Sequence, residues 1–468
     1  MQKNAETPRS HRRAKWIGGI AGLLAVILAA GLLLWPGQGA LTGTAQALST
    51  VERPETVPYP QDADYFKEDG SFDDEAYSAA YAAWLASRPA QMDEAQRQSL
   101  ADFITKSVPV LLQGDGTGNT VYSPLNVYLA LAMLAETTDG DSQQQLLDLL
   151  GVADLESLRT EAEALWRANY IDDGQSSSLL ANSLWLNEDV SFNQSVLDSL
   201  AKNYYAESFQ GTMGAEKTNK LLRDWINRQT SGLLKGQTDG LELSRDTVLA
   251  LVSTLYFKAA WTDEFNKTLT APDTFTNAEG KAETCDFLHE SDQNILYRGS
   301  QFTAVEKSLQ NGGGMWLIRP NEGVTTDALL GDAELTQFLL ANGAWEDADY
   351  AQINLSLPKF DVTGEADLRG GLQQLGVTDV FAPGAADFSP LGGAASDGLY
   401  VSKLQHDARV LIDEEGCTAA AFTIASVEAT CAEEDLEEID FTLDRPFLFA
   451  ITNADGLPLF TGVVNTTA

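Results

Sequence analysis

Histidine, cysteine and positive charge are all scarce in this chain. Its 468 residues hold three His, three Cys and 30 Lys+Arg against 68 Asp+Glu. A formal charge of −38 excludes nucleic acid as a partner, because a phosphate backbone is bound by a basic face that releases counterions. Cys285, Cys417 and Cys431 allow at most one internal disulfide, so a disulfide scaffold is excluded. Beyond residue 15 only His289 and His406 remain, with no CxxC, HExxH or GxSxG. No metal, cofactor or small-molecule substrate is therefore expected. The glycines of Gly114-Asp-Gly116-Thr-Gly118 lack the strand-to-helix setting of a dinucleotide site and read as a surface loop.

The charge that is present is segregated. Residues 1–15 carry five Lys/Arg and one Glu, which leaves −42 for the rest. Trp16 to Trp35 follows as twenty residues without a charge. As a helix this run would span roughly 30 Å, the thickness of a bilayer core. Tryptophans at both ends and the basic flank predict a transmembrane anchor with residues 1–15 cytoplasmic and the rest exported. Ala45-Gln46-Ala47 is an alternative cleavage site that would release the chain. Residues 36–95 are rich in Pro, Asp, Glu and Tyr, with one short helix at Tyr77–Leu85, and read as an acidic stalk.

From Gln96 onward the pattern is that of a packed domain, and 44% apolar residues suffice for a large core. Length alone allows two or three domains. Leu100 to Leu112, Leu125 to Leu134, Asp141–Leu150, Leu155–Trp166 and Leu368–Leu375 have helical spacing, with Gly151 at a helix stop. Leu179–Leu186, Val248–Phe257 and Ile353–Leu357 read as strands, and Val401–Ile412 and Phe441–Val464 are nearly all strand. Helices early and strands late indicate an α+β fold.

Six segments then carry a family resemblance, in order along residues 95–465. They are Asn119-Thr-Val-Tyr-Ser-Pro-Leu-Asn126, Leu255-Tyr-Phe-Lys-Ala-Ala-Trp261, Leu357-Pro-Lys-Phe-Asp361, Asp413-Glu-Glu-Gly-Cys-Thr-Ala-Ala-Ala421, Arg445-Pro-Phe-Leu-Phe449 and Leu459-Phe-Thr-Gly462. Together they resemble the serpins. The resemblance implies a single domain at 96–468, with three β-sheets, eight or nine helices and an exposed reactive loop. It also implies a monomeric suicide inhibitor of serine proteases rather than an enzyme. The target cuts the loop, which then inserts as a new strand into a large sheet and carries the acyl-enzyme with it.

A segment destined to become a central strand must lack Pro and keep charge off its buried face. Every second residue from Cys417 is small or apolar: Cys417, Ala419, Ala421, Thr423, Ala425 and Val427. The opposite set is Thr418, Ala420, Phe422, Ile424 and Ser426, and the first charge is Glu428. The resemblance assigns the hinge to Glu414, Glu415, Gly416, Cys417, Thr418, Ala419, Ala420 and Ala421, with Gly416 supplying backbone freedom. Two departures stand out. Cys417 replaces the usual Thr or Ser, and Phe422 replaces a small residue. Family spacing from Glu414 puts the scissile bond at Thr430–Cys431, which suits an elastase-like or subtilisin-like protease. Counting back from Pro446 puts it near Asp435–Leu436, which suits an acid-preferring one. Six acids in Glu433–Asp440 would favour a basic protease surface or serve solubility.

The family's buried "shutter" maps onto Ser123, Asn126, Ser253 and His406, with the usual Ser and Asn exchanged between 126 and 253. Two other readings stay open. Phe422 and the long acidic loop suit a non-inhibitory serpin that acts as a surface binding protein. A cysteine hydrolase using Cys431 or Cys285 would need a His partner.

Overall fold

The computed structural model describes residues 46–49, 51, 53–54, 56–67, 69–88, 92–310, 312–392, 398–417 and 436–467. The Trp16–Trp35 run lies outside them. Among the described residues no helix is long and apolar enough to cross a membrane.

The chain opens with β1 (Gln46–Ser49) and α1 (Asp74–Ser87), then α2 (Glu94–Leu111), β2 (Thr120–Tyr122), α3 (Pro124–Glu136), α4 (Gly140–Leu150) and α5 (Leu155–Asn169). Next come β3 (Ile171–Asp172), β4 (Ser177–Asn187), α6 (Gln194–Asn203), β5 (Ala206–Gly211), α7 (Glu216–Gln229), α8 (Lys235–Thr238) and β6 (Leu249–Ala260). A run of strands follows: β7 (Ala271–Thr276), β8 (Ala282–Arg298), β9 (Phe302–Ser308) and β10 (Gly314–Pro320). After α9 (Thr326–Leu330) and α10 (Ala333–Leu340) come β11 (Ala348–Pro358), β12 (Asp361–Asp367), α11 (Arg369–Gln374) and β13 (Gln405–Leu411). The chain ends in β14 (Gly416–Cys417), β15 (Glu438–Thr442), β16 (Phe447–Thr452) and β17 (Pro458–Val464). Eleven α-helices thus stand among the described residues, eight of them eight residues or longer.

The strands form three sheets. The six-stranded sheet runs β1-β5-β4-β6-β14, with β3 on β4. The nine-stranded sheet runs β15-β11-β8-β9-β10-β16-β17-β2, with β7 on β8, and β12 and β13 form a two-stranded sheet. Among the described residues no ladder joins β6 to β13.

The expected α+β order and helix positions hold, for local reasons. In α3, Ser123 caps the first turn and Pro124 stands at its start, where no N–H is needed. Almost every α3 side chain is buried, because the helix packs on both β6 and β17, one strand from each large sheet. α4 stops at Gly151, whose φ of 77° is left-handed and suits only glycine without strain.

The described part of the acidic stretch, from Gln46 on, touches the rest of the domain. β1 pairs antiparallel with β5 and so adds an edge strand to the six-stranded sheet. Tyr59 donates its backbone N–H to the Asp173 carbonyl at 2.8 Å and meets Trp84 edge-on at 4.9 Å. The Trp84 indole in turn donates to the Asp173 carboxylate at 3.0 Å, in a buried bond. Acidic composition masked the aromatic anchors that dock this segment on the domain.

Candidate functional site

The turn between β13 and β14 follows directly from its residues. The Asp413 carboxylate accepts the N–H groups of Glu415 at 2.9 Å and Gly416 at 3.2 Å, the local loop-forming bond that Asp favours. The Asp413 N–H closes the turn on the Gly416 carbonyl at 3.1 Å. The chain therefore reverses within four residues, and Cys417 pairs back on Ile412. On its other side β14 is antiparallel to β6, with Gly416 opposite Ala260 and Cys417 opposite Ala259. Cys417 thus lies in a two-residue strand between β6 and the end of β13, where it is 2% exposed. Burial pushes its thiol well up, so it is a packed neutral side chain rather than a nucleophile.

Gly416 also has a packing role beside the backbone freedom expected of it. Its φ is not left-handed. A Cβ there would lie 2.4 Å from the Ala259 carbonyl oxygen, so glycine is needed for close approach to β6 rather than for a special backbone angle.

Several residues outside the expected hinge grip the turn. Trp261 donates its indole N–H to the Asp413 carbonyl at 2.9 Å and its backbone N–H to the Glu415 carbonyl at 3.0 Å. Phe265 donates its N–H to the Glu414 carbonyl at 2.9 Å. Lys359 pairs with the Glu414 carboxylate at 2.9 Å, Thr270 donates to it at 2.9 Å, and Lys267 pairs with Glu415. Burial pushes the Glu414 carboxyl up, but the Lys359 and Thr270 bonds outweigh it and hold the group below its ordinary value. Trp261, Lys359 and Asp413 stand inside segments that carried the family resemblance, so their place in the sequence was visible although their grip was not. The rest of the hinge, Thr418, Ala419, Ala420 and Ala421, and the bond Thr430–Cys431 lie outside the described residues.

The four shutter positions come together where α3 meets β6 and β13. The Ser123 N–H donates to His406 Nε2 at 3.1 Å, and the Ser123 hydroxyl accepts the Asn126 N–H at 3.4 Å. The Ser253 hydroxyl donates to Asn126 Oδ1, while Asn126 Nδ2 donates to the Ser253 carbonyl at 3.4 Å. Asn126 on α3 is thereby tied to β6, and Ser123 to β13. The exchange of Ser and Asn preserves one donor and one acceptor across the gap. His406 is buried edge-on to Tyr122 at 5.7 Å, and burial alone lowers its imidazole to about 4. It is neutral near pH 7, with Nε2 as an acceptor. A cavity of about 10 Å³ lies beside Ser123, Asn126 and His406, room for a single water at most.

Cys285 is the other cysteine among the described residues, and Cys431 lies outside them. Cys285 is half-buried with its thiol pushed up by burial, and His289 Nδ1 is engaged with the Ser356 hydroxyl at 3.0 Å.

The family model described as "Serpin (serine protease inhibitor)" matches residues 98–467. The horse leukocyte elastase inhibitor (Equus caballus) is 29% identical over 359 residues, 73% of this chain and 91% of that protein. Plasminogen activator inhibitor 1 of Neovison vison is 27% identical, over 78% of this chain and 91% of its own length. Among solved structures, the thermophilic serpin tengpin in its native state aligns with a TM-score of 0.71 at 26% identity, covering 81% of this chain and 96% of tengpin. Human thyroxine-binding globulin, solved with its hormone, aligns at 0.69 and 20% identity, over 80% of this chain and 99% of its own, which shows the fold alone. The chain belongs to the serpin family, a family of protease inhibitors rather than catalysts.

Proposed function

We propose that this protein is a suicide inhibitor of serine proteases, held at the outer face of a cell membrane by residues 16–35, in a bacterial style of architecture. The observation that carries the reading is Cys417, seated with Ala259 on one side and Ile412 on the other. The loop's first residues thus already lie on a path into the sheet. The protease serine attacks the Thr430 carbonyl, an ester forms, and the peptide bond to Cys431 breaks. The serine's proton passes through the protease's own base to the departing Cys431 amine. Residues from Thr418 onward then add to β6, with Ala419, Ala421, Thr423, Ala425 and Val427 on the inner face. The ester travels with them before water can cleave it. The small residues around Thr430 favour elastase-like or subtilisin-like targets. The acids of 433–440 favour a target with a basic surface. The shutter cluster ties α3 to β6 and β13, and it must part as the strand enters.

The position of β1 supports retention of the anchor. Cleavage after Ala47 would divide a strand whose Gln46 and Ala47 pair with Gln210 and Phe209.

The test mixes the full chain with elastase-like, subtilisin-like, trypsin-like and Glu-specific proteases, followed by denaturing gels and mass spectrometry. A covalent complex with a released fragment beginning at Cys431 is expected. A fragment beginning near Leu436 would move the bond and keep the mechanism. Clean cleavage by all four proteases, with no complex and no gain in heat resistance, would overturn the inhibitory reading. The binding-protein alternative, which Phe422 favours, would then stand.

A further inference from the structure

One buried charge pair stands against the hinge and has no part in the mechanism above. Lys307 on β9 is 6% exposed, and its ammonium pairs with the half-buried Glu290 on β8. An ion pair taken out of water is costly to desolvate, and apolar residues of similar volume often serve stability as well or better. Its position therefore asks for a role other than holding the core together.

That position is specific. The ammonium sits 4.7 Å from the centre of the Phe265 ring, and Phe265 is buried edge-on to Trp261 at 6.0 Å. Phe265 and Trp261 are the residues whose N–H groups hold the carbonyls of Asp413, Glu414 and Glu415. The chain just after Lys307 is also wired to the end of β6. Thr262 donates to the Ser308 carbonyl at 2.9 Å, Gln310 donates to the Ala260 carbonyl at 3.0 Å, and Leu309 pairs with Trp261. The nine-stranded sheet therefore reaches the hinge through two adjoining routes, a backbone one at 308–310 and a side-chain one through Lys307 and Phe265. A cation held over a desolvated ring face resists the ring's departure, and Glu290 fixes where that cation sits.

We propose that Lys307 and Glu290 are positioning residues for the insertion hinge: they hold Phe265, and through it the Glu414 carbonyl, so that the loop pivots at Gly416 while residues 413–415 stay fixed. The role rests on the inhibitory reading, because it matters when insertion competes with hydrolysis of the acyl-enzyme. With the post loosened, part of each pivoting motion goes into 413–415, insertion slows, and more inhibitor is spent as substrate. The first encounter with the protease is unaffected, because the outer loop is untouched.

The variant Lys307→Met/Glu290→Gln removes both charges together, so no unpaired charge remains in the interior and folding is preserved. Two measurements on the full chain separate the outcomes. Backbone hydrogen exchange of the uncleaved protein, read by mass spectrometry, is expected to speed up severalfold in peptides covering 413–416. Exchange in β16 and β17 should not change. The stoichiometry of inhibition is expected to rise severalfold with the association rate constant unchanged. Unchanged exchange at 413–416, or faster exchange everywhere, would overturn the proposal, since the second result is what a merely structural pair gives. If the parent chain forms no covalent complex with any protease, the inhibitory reading fails while the exchange comparison still decides whether the pair holds the hinge.

Discussion

The two large sheets use similar apolar strands and end in different conditions. In the nine-stranded sheet β16 and β17 are buried along their whole length, and each has a partner on both sides. β6 is just as apolar, yet Leu249, Ala250, Leu251 and Val252 are only half-buried. On the side facing β13, only Ala259 and Ala260 of β6 have ladder partners among the described residues. Composition does not separate the two cases. Every backbone donor and acceptor of a buried strand needs a partner, and for β6 the completing strand is, in the proposed mechanism, the reactive loop itself. One sheet is thus finished by folding and, under the proposed mechanism, the other by its reaction.

The largest effect is expected from breaking the second of these. Thr423→Arg places a charge on the inward set of the loop, where burial without a partner costs several kcal/mol. Covalent complex should vanish and the loop should be cut as substrate, with the melting curve of the uncut protein unmoved. Ala420→Arg, on the outward set, should retain inhibition on the same gels. Phe449→Ala attacks the finished sheet instead. Its ring is buried on β16, 5.2 Å from Phe360. The loss should be about 3–5 kcal/mol, equal in intact and loop-cleaved protein when both are titrated with denaturant. A larger loss in one form would show that the two sheets are not energetically separate.

Between them, His406 should make stability depend on pH. An unfolded histidine takes its proton near pH 6.5, whereas burial holds the folded one to about 4. Between those values the unfolded chain binds the proton and the folded chain does not. Stability should be full above the ordinary value and should fall by roughly 3 kcal/mol as pH drops through that window. Denaturant midpoints measured across it should show the slope, and His406→Gln should flatten it. The smallest effect belongs to Glu414→Gln at the hinge. Its pair with Lys359 is partly exposed and is worth at most about 1 kcal/mol. Because the Glu414 carboxyl is held below its ordinary value, that contribution is present at neutral pH. It is lost as pH falls below the carboxylate range, so parent and variant midpoints should converge in acid.

Much of this was legible from residues alone, because much of it is local. Ser123 and Pro124 mark the start of α3, and Gly151 marks the end of α4. Ser123 and Asn126 stand in a segment that carries the family resemblance, and Ser253 and His406 follow from laying the family's shutter onto this chain. What stayed hidden depends on distant partners. Tyr59 and Trp84 sit in an acidic stretch without period, and only Asp173 and the neighbouring rings show that it docks. Lys307 occupies a strand position where a lysine ordinarily means solvent. Its burial depends on Glu290, seventeen residues away in the chain, and on Phe265. The missing ladder between β6 and β13 has no local signature at all, since the apolar run of β6 and the alternation of β13 both read as ordinary paired strands.

The strand β1 has a consequence for how copies of this chain meet one another. An uncapped sheet edge is a template that any passing extended segment can extend, and short or bulged edge strands are a common defence. Among the described residues β1 covers the outer side of β5 with four residues, and its register slips between Ala47 and Ser49. At high concentration, a neighbour's loop would meet a slipped register along the described part of β1. Among the described residues the inward side of β6 is a longer open border, so under the proposed mechanism self-association there would compete with loop insertion for the same hydrogen bonds.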